Sequence, residues 1–199
     1  MPEPLPLVRS PELLSVADSG LLVVDVQEKL IGLLPEHRRI VWNIGRLLDG
    51  ARTLGVHAAA TEQYPQGLGP TVSALAGRFT QAGEPPLPSK VMFSCRGCEG
   101  TFAAFRERGL FKLLLVGIET HVCIQQTALD AMANGFRVYL AVDAVGARFA
   151  IDHDTALRRL EASGATLTTT ESALFEWCEV AGTAEFKEIS RIVRQPMPG

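Results

Sequence analysis

Apolar residues are distributed along this chain in two alternating patterns. Four runs rich in Val, Leu and Ala have the composition of strands buried on both faces, at 21–26, 56–61, 113–117 and 136–143. Between them, apolar residues recur at helical spacing, as in 36–55 and 120–134, and these segments end at or just before a glycine. Strands that alternate with helices form parallel βαβ units, so the pattern predicts one three-layer α/β/α domain around a parallel sheet.

The remaining segments have weaker patterns. Short strands are predicted near 90–93 and over 165–170, and helices near 101–108, 152–163, 171–178 and 185–194. Residues 61–88 are rich in Gly and Pro, so we predict loop there with one short helix near 72–75. We expect a single domain over 1–199, in which residues 1–18 are a proline-rich N-terminal arm on the surface or against a partner subunit.

Composition narrows the class of protein. Hydrophobic residues make up 47% of the chain and charged residues 21%, which is typical of a well-packed globular protein. A net charge of -3 argues against a nucleic-acid or anionic-membrane surface, since either needs an excess of Lys and Arg. No apolar run approaches the ~18 to 20 residues of a membrane span, and the N-terminus lacks a signal-peptide pattern. We therefore expect a cytoplasmic protein whose cysteines are thiols.

Residues that carry chemistry collect where the predicted strands end. In open parallel sheets, ligands bind beyond the carboxyl ends of the strands. The sequence places there Asp25, Glu62, Gln63, the segment 119–123 and Asp143. Because the fold itself guarantees part of this convergence, it directs attention to one edge of the sheet without establishing a site.

Cys123 is the central candidate. Thr120 is a suitable N-cap residue, so the thiol is expected in the first turn of a helix, where the helix dipole favours a thiolate. The alternative is a buried packing cysteine, and position alone leaves the two interpretations even. Asp25 is either a proton acceptor or a capping residue, and Lys90 is either an anion-stabilising cation or a solvated surface lysine.

Signals for redox and metal chemistry are weaker. Cys95 and Cys98 form a CxxC, which we interpret mainly as incidental thiols, with a redox pair as the alternative. A structural zinc needs four ligands, and neither a second cysteine pair nor a nearby histidine is present. The histidines are scattered, and no GxSxG, phosphate loop or GxGxxG occurs. We predict neither a metal site nor a cofactor.

Three motifs in order along the chain resemble the isochorismatase-like cysteine hydrolases, the superfamily that includes nicotinamidases and N-carbamoylsarcosine amidases. They are LLVVDVQ with Asp25, SKVMFS with Lys90, and GIETHVCIQQTALDAMANG with Cys123. TEQYPQGLGPT and the late GATLTTTESALFE and FKEIS are similar to the uncharacterised isochorismatase-domain branch, so the resemblance covers about 21–192. It implies a Rossmann-like, nearly parallel six-stranded sheet and a homo-oligomer, often a dimer or tetramer.

The resemblance also implies a mechanism. Asp25, Lys90 and Cys123 would be the catalytic triad, and a cis peptide between Ile118 and Glu119 would aim backbone N–H groups near Thr120 and Cys123 at an oxyanion. The expected reaction is hydrolysis of a small amide-like substrate through a thioester. The chain lacks the Asp and His metal site of nicotinamidases, so we expect neither zinc nor nicotinamide, and the cysteine nucleophile disfavours vinyl-ether hydrolysis.

The substrate pocket is predicted from residues near these motifs. The candidate lining residues are Gln27, Gln63, Tyr64, Phe93, Glu119 and His121. Two other functions stay open at this point. One is a catalytically quiet binding or interaction protein on the same fold, and the other is a thiol-redox protein that uses Cys95 and Cys98.

Overall fold

The computed structural model describes residues 7–79 and 86–197. Within those ranges six strands form one sheet: β1 Ser19–Val24, β2 His57–Gln63, β3 Ser89–Lys90, β4 Lys112–Ile118, β5 Arg137–Gly146 and β6 Thr166–Thr168. Their order is β3-β2-β1-β4-β5-β6, and every neighbouring pair is parallel. The central strands β1 and β4 are buried throughout, as their continuous apolar runs predict.

Helices connect the strands. They are α1 Glu28–Ile31, α2 His37–Leu54, α3 Pro65–Leu68, α4 Ser73–Ala76, α5 Glu99–Glu107, α6 Gln125–Ala133, α7 Ala150–Ala162, α8 Thr170–Cys178 and α9 Ala184–Val193. A 3-10 turn at Cys95–Gly97 precedes α5, and a π-helical turn at Thr120–Ile124 leads into α6. In the part of the chain that the structure describes, no helix is long and apolar enough to cross a membrane.

Side chains of β4 alternate between two apolar cores. Leu114 and Val116 pack into the core that also contains residues of α2, α8 and α9, whereas Leu113 and Leu115 pack into the core that contains residues of α5, α6 and α7. A strand covered on both faces requires this two-residue alternation, and each fully buried Leu or Val contributes roughly 1.5–3 kcal/mol. The predicted three-layer α/β/α architecture is confirmed.

The Gly- and Pro-rich segment is more ordered than predicted. The predicted short helix is α4, but β2 continues to Gln63, and a further helical turn, α3, follows at Pro65–Leu68. A proline at the first position of a helix needs no hydrogen bond from its nitrogen, so it starts α3 rather than breaking it. Residues 80–85 of this segment lie outside the described ranges.

The N-terminal residues that are described pack against α8. The guanidinium of Arg9 donates to the carbonyl oxygen of Glu176 at 2.7 Å, and Leu14 is fully buried. The first six residues of the predicted arm lie outside the described ranges. One domain over 1–199 with an arm at 1–18 stays a prediction.

A glycine allows the two central strands to approach closely beside Asp25. Gly117 in β4 has a φ of 120°, and a Cβ at this position would lie 2.1 Å from the carbonyl oxygen of Val24. No side chain fits in that gap, so only glycine permits this contact. The contact sets how the ends of β1 and β4 meet at the edge where the candidate site lies.

Candidate active site

Asp25 follows the last residue of β1 and turns away from the strand direction. Its φ is 54°, in the left-handed region that non-glycine residues adopt uncommonly and at a cost of about 1–2 kcal/mol. Its backbone N–H donates to the carbonyl of Thr61 at 3.1 Å, which holds the turn against β2. Its side chain is fully buried. A carboxylate in such a conformation is typical of functional sites.

Lys90 lies at the end of β3 with its ammonium group beside Asp25. The Nζ atom lies 2.6 Å from Oδ2 of Asp25, 2.8 Å from Oε1 of Gln63 and 2.9 Å from the carbonyl oxygen of Phe93. An ammonium has three hydrogens, so each has an acceptor, and the side chain is fully buried. Burial lowers the pKa of Lys90, but the adjacent Asp25 carboxylate and neighbouring thiols outweigh it, so the net shift is upward. Lys90 is therefore a charged lysine and not a solvated surface residue.

Cys123 lies in the π-helical turn after β4, and its thiol interacts electrostatically with the Asp25 carboxylate. The prediction that Thr120 caps this helix is wrong. The N-cap position is Glu119, whose side chain makes no capping bond, and the Thr120 hydroxyl instead lies 2.9 Å from Nδ1 of His153. The turn nevertheless directs the thiol towards the end of β1.

The protonation of the site differs from the thiolate that we predict from the sequence. Burial raises the pKa of the Cys123 thiol well above its ordinary value, and the Asp25 charge raises it further, while the Lys90 charge acts in the opposite direction. Burial also raises the pKa of Asp25, against the Lys90 charge and hydrogen bonds from Lys90, Cys123 and Thr61. A neutral thiol beside a carboxylate whose pKa is raised is a donor–acceptor pair suited to proton transfer.

The peptide bond between Ile118 and Glu119 is cis, at the position that the resemblance implies. Past this bond, the Glu119 carbonyl accepts from the N–H groups of Val122 and Ile124 at 3.0 and 3.2 Å. The Glu119 carboxylate accepts from the backbone N–H and from Nε of Arg148, both at 3.0 Å. Glu119 thus joins the turn to the segment after β5. An oxyanion hole at 118–123 stays a prediction.

Two of the predicted pocket residues, Gln27 and Gln63, form hydrogen bonds within the protein. Gln27 is fully buried, and its amide donates to the carbonyls of Gln63 and Gly69 and accepts from the Gln63 N–H. Both of its donor hydrogens are therefore engaged by the protein. The Gln63 amide group donates to the carbonyl of Val91 at 2.9 Å and accepts from Lys90, so it positions the lysine. These contacts favour a structural role over direct contact with a substrate.

The aromatic candidates lie at the surface above Lys90. Tyr64 is 53% exposed and Phe93 52% exposed. Tyr64 also borders a cavity of about 400 Å³, whose other lining residues are Pro65, Gln66, Ser89, Lys90, Val91, Met92 and Gly97. A cavity of this size is large enough for a small molecule, but neither Asp25 nor Cys123 lines it, and the ammonium group of Lys90 is buried beneath it.

His121 lies in the same π-helical turn as Cys123. Its Nε2 is 3.9 Å from Oδ2 of Asp152, and its buried Nδ1 has no hydrogen-bond partner among the described residues. An unpaired buried nitrogen is costly unless a ligand or water satisfies it, so His121 keeps the capacity to bind a polar group.

Two other carboxylates at the strand ends serve the fold. Glu62 accepts from both the backbone N–H and the hydroxyl of Thr71, at 2.6 and 2.8 Å. Asp143 accepts from both the backbone N–H and the hydroxyl of Thr170, at 2.8 and 3.0 Å, at the start of α8. Within residues 7–79 and 86–197, no group of three His, Cys, Asp or Glu side chains is arranged to hold a metal ion.

Two further residues lie next to the candidate triad: Thr61, which the sequence did not single out, and Cys95, which it placed in the CxxC. The Thr61 hydroxyl donates to Oδ1 of Asp25 at 2.9 Å and lies 3.3 Å from Sγ of Cys95. Cys95 and Cys98 are free buried thiols, and burial raises the pKa of both, that of Cys95 to about 11. A polar Thr61 at the end of the apolar run 56–61 is the signal that was available for the first of them.

Comparison with known proteins agrees with this geometry. The isochorismatase domain model matches residues 19–172. Isochorismatase domain-containing protein 2 of Bos taurus is 41% identical over 180 residues, 90% of this chain and 85% of that protein. The structure of the MAR1 ribonuclease from Caenorhabditis elegans matches with a TM-score of 0.85 at 33% identity, over 94% of this chain and 95% of that one. YcaC from Pseudomonas aeruginosa, with hexane-2,5-diol and covalent acrylamide, matches with a TM-score of 0.80 at 27% identity, over 92% of each chain. The chain therefore belongs to the isochorismatase-like hydrolase family.

Proposed function

We propose that the protein is a cysteine hydrolase that cleaves the C–N bond of a small amide-like substrate through a thioester intermediate. The observation that carries the proposal is the buried Asp25 carboxylate, which accepts a hydrogen bond from the Lys90 ammonium at 2.6 Å and interacts with the Cys123 thiol. The three side chains come from three different segments, and nothing in the packing of the core requires a thiol, a carboxylate and an ammonium to meet at the end of a strand.

The chemistry follows from the protonation states. Asp25 accepts the thiol proton as Cys123 attacks the carbonyl carbon, so that the new C–S bond forms while the carbonyl electron pair moves to oxygen. Backbone N–H groups of the turn at 118–123 would bind this oxyanion. The intermediate collapses as the C–N bond breaks, and Asp25 returns the proton to the departing amine. When Asp25 holds the proton, the positive charge of Lys90 balances the negative charge on the Cys123 sulfur.

Hydrolysis of the thioester reverses these roles. A water molecule gives a proton to Asp25 as it attacks the acyl carbon, and the C–S bond breaks. The Cys123 thiolate then takes the proton back from Asp25, which restores the resting pair. The carboxylic acid then leaves the site.

A panel of small primary amides, N-carbamoyl compounds and anilides tests the proposal, with release of ammonia or amine as the readout. Cys123→Ala should lower turnover by several orders of magnitude, since it removes the nucleophile. Cys178→Ala is the matched control, because Cys178 is a thiol in α8, in a different part of the fold from the site, and it should keep full activity. Hydrolysis that survives Cys123→Ala refutes the scheme.

Covalent labelling provides a second test that needs no substrate. The Pseudomonas aeruginosa relative was observed with covalent acrylamide, a small amide that alkylates thiols. We expect acrylamide to modify Cys123 in this chain: the sulfur bonds to the β-carbon as the C=C π bond opens, and the thiol proton passes by way of Asp25 to the α-carbon. Peptide mass spectrometry should find the adduct at Cys123. Labelling confined to Cys178 would count against a nucleophilic Cys123.

The name of the Caenorhabditis elegans relative supports RNA cleavage as a second candidate function. The net charge of -3 disfavours it, since RNA binding relies on a cationic surface. A quenched fluorescent RNA, incubated with the protein and with Cys123→Ala, separates the two. RNA cleavage that purifies with the protein and does not depend on Cys123 would favour the nuclease.

The other predicted properties also stay proposals. A homodimer or tetramer is measured by sedimentation of the purified protein. A redox pair of Cys95 and Cys98 requires thiols that ionise readily, whereas burial raises the pKa of both. A catalytically quiet binding protein is the outcome if no amide is turned over and Cys123 resists alkylation.

A further inference from the structure

Polar contacts to Asp25 continue beyond the three residues of the proposed mechanism. Oδ2 of Asp25 accepts a hydrogen bond from the Lys90 ammonium, and Oδ1 accepts one from the Thr61 hydroxyl at 2.9 Å. That hydroxyl lies 3.3 Å from the sulfur of Cys95. Thr61 is 1% exposed and Cys95 fully buried, so water does not compete for these contacts.

The direction of the two bonds follows from counting hydrogens. A hydroxyl has one hydrogen, and Thr61 gives it to Asp25. The contact between Thr61 and Cys95 is then made by the thiol hydrogen, with the threonine oxygen as acceptor. Burial raises the pKa of Cys95 to about 11, so the thiol keeps this hydrogen throughout the neutral range.

The backbone fixes the position of both residues. Thr61 is paired with Val24 in the parallel register of β1 and β2, and its carbonyl accepts from the Asp25 N–H. The backbone N–H of Cys95 donates to the hydroxyl of Thr127 at 2.9 Å, which ties the 3-10 turn to α6. This anchor uses the main chain, so a substitution of the Cys95 side chain leaves it in place.

We propose that Thr61 and Cys95 are positioning residues, which form a hydrogen-bond relay that orients the Asp25 carboxylate and favours its ionised form. The inference rests on the proposed function, in which Asp25 accepts the proton of Cys123. Around the carboxylate lie Lys90 of β3, Cys123 of the π-helical turn, Cys95 of the 3-10 turn and Cys98 just after it. Lys90 is the cation of this group, and Thr61 and the Cys123 thiol are the uncharged partners of Asp25.

Removing the Thr61 hydroxyl should raise the pKa of Asp25, since a donor to the charged form is lost while the burial remains. Loss of one hydrogen bond to a charged acceptor should raise the titration midpoint of Asp25 by about one to two pH units. Cys95 acts on Asp25 only through Thr61, by strengthening the hydrogen bond that the Thr61 hydroxyl donates. This strengthening is a fraction of one bond, so Cys95→Ala should raise the Asp25 midpoint by roughly a few tenths of a pH unit.

The test is the titration of the Asp25 side-chain carbon by NMR in the full-length protein labelled with ¹³C-aspartate. The Asp25 signal is identified by its loss in Asp25→Asn. Thr61→Val should shift the midpoint upward, Thr61→Ser should restore it, and Cys95→Ser should match the unsubstituted protein. Cys98→Ala removes a second buried thiol near the site, whereas the Thr61 hydroxyl contacts Asp25 and Cys95, so this variant controls for a cavity alone.

An unchanged midpoint in Thr61→Val overturns the relay, and so does a Cys98→Ala shift as large as that of Cys95→Ala. If Thr61→Val does not fold, Thr61→Ala and the comparison of Cys95→Ala with Cys95→Ser provide the same test of the Asp25 midpoint. The titration does not depend on turnover. A shifted midpoint in a protein that hydrolyses no amide supports the relay and refutes the hydrolase, whereas Cys123-dependent hydrolysis with an unmoved midpoint refutes the relay alone.

Discussion

Replacing Asp25 with Asn should destabilise the protein because it leaves a buried ammonium without its counter-charge. Asn preserves the shape of the side chain and tolerates the left-handed backbone at this position, where φ is 54°. The change is therefore confined to the charge. The Nζ of Lys90 loses the carboxylate oxygen at 2.6 Å and keeps two neutral acceptors, in a side chain with no exposed surface.

The magnitude is bounded from two directions. Removing one partner of a buried ion pair costs about 3–5 kcal/mol. Lys90 can also lose its proton in the variant, which at pH 7 costs about 4.6 kcal/mol for a lysine with a pKa near 10.4. This cost sets an upper limit on the destabilisation. We expect a loss of roughly 3–5 kcal/mol in the free energy of unfolding. For a chain of 199 residues this is a fall in Tm of roughly 6–20 °C.

Urea unfolding of four proteins measures the effect: the unsubstituted chain, Asp25→Asn, Lys90→Met and the double variant. Fluorescence of Trp42 and Trp177 reports the transition. Lys90→Met in the Asp25→Asn background should recover much of the loss. Asp25→Asn should also become more stable relative to the unsubstituted chain as pH rises to 9.5, because the depressed pKa of an unpaired lysine favours the folded state once the lysine is neutral. A loss below about 1 kcal/mol, or no recovery in the double variant, would refute the reasoning.

Three further predictions follow from the packing and from the titrating groups. Gly117→Ala should cost at least about 4 kcal/mol or prevent folding, since its Cβ would lie 2.1 Å from a backbone oxygen, whereas Gly135→Ala, also at positive φ but with open space around it, should cost about 1–2 kcal/mol in the same urea assay. Because burial raises the pKa of Cys95 to about 11 and also raises that of Cys123, the free energy of unfolding should fall with pH above the ~8.5 of an unfolded thiol, and Cys95→Ala should make that fall shallower by about 1.4 kcal/mol per pH unit up to pH about 11. Because burial raises the pKa of Asp25, kcat/KM for an identified amide should fall on the acid side at a pH above the ~3.9 of an ordinary aspartate, and a limb at or below that value contradicts Asp25 as the base.

The fold was predictable because the amino-acid composition of the central strands itself indicates burial on both faces. The runs at 21–26 and 113–117 are apolar at successive positions, and only a strand covered on both faces uses both sets of side chains. The Gly- and Pro-rich segment was predicted less well. Its turn at Pro65–Leu68 is held by hydrogen bonds that involve the distant α1 region, such as that from Lys29 to the carbonyl of Gly67, and no local pattern reports such contacts.

The candidate triad was predictable in identity but not in electrostatics. Asp25, Lys90 and Cys123 are recognisable because each lies within a known motif: Asp25 follows the apolar run LLVV, Lys90 precedes the apolar VMF, and Cys123 follows the strand 113–117 after a short segment. The sequence position of Cys123 favours a thiolate through the helix dipole, but the pKa depends on how completely the site is buried and on the distance to Asp25. Both of these are tertiary properties, and burial outweighs the dipole.

The same electrostatics give the candidate site a resting state that is chemically quiet. Lys90 and Asp25 neutralise each other at 2.6 Å, and the Cys123 thiol keeps its proton because burial and the carboxylate both disfavour a second negative charge. In the proposed mechanism, ionisation of the thiol depends on the proton moving to Asp25, a transfer that becomes favourable when a bound carbonyl accepts the sulfur electrons. A nucleophile of this kind would be activated by its substrate rather than by pH. Selectivity would then come from how a small carbonyl compound fits beside Cys123, and the protein would resist the general thiol oxidants that attack preformed thiolates.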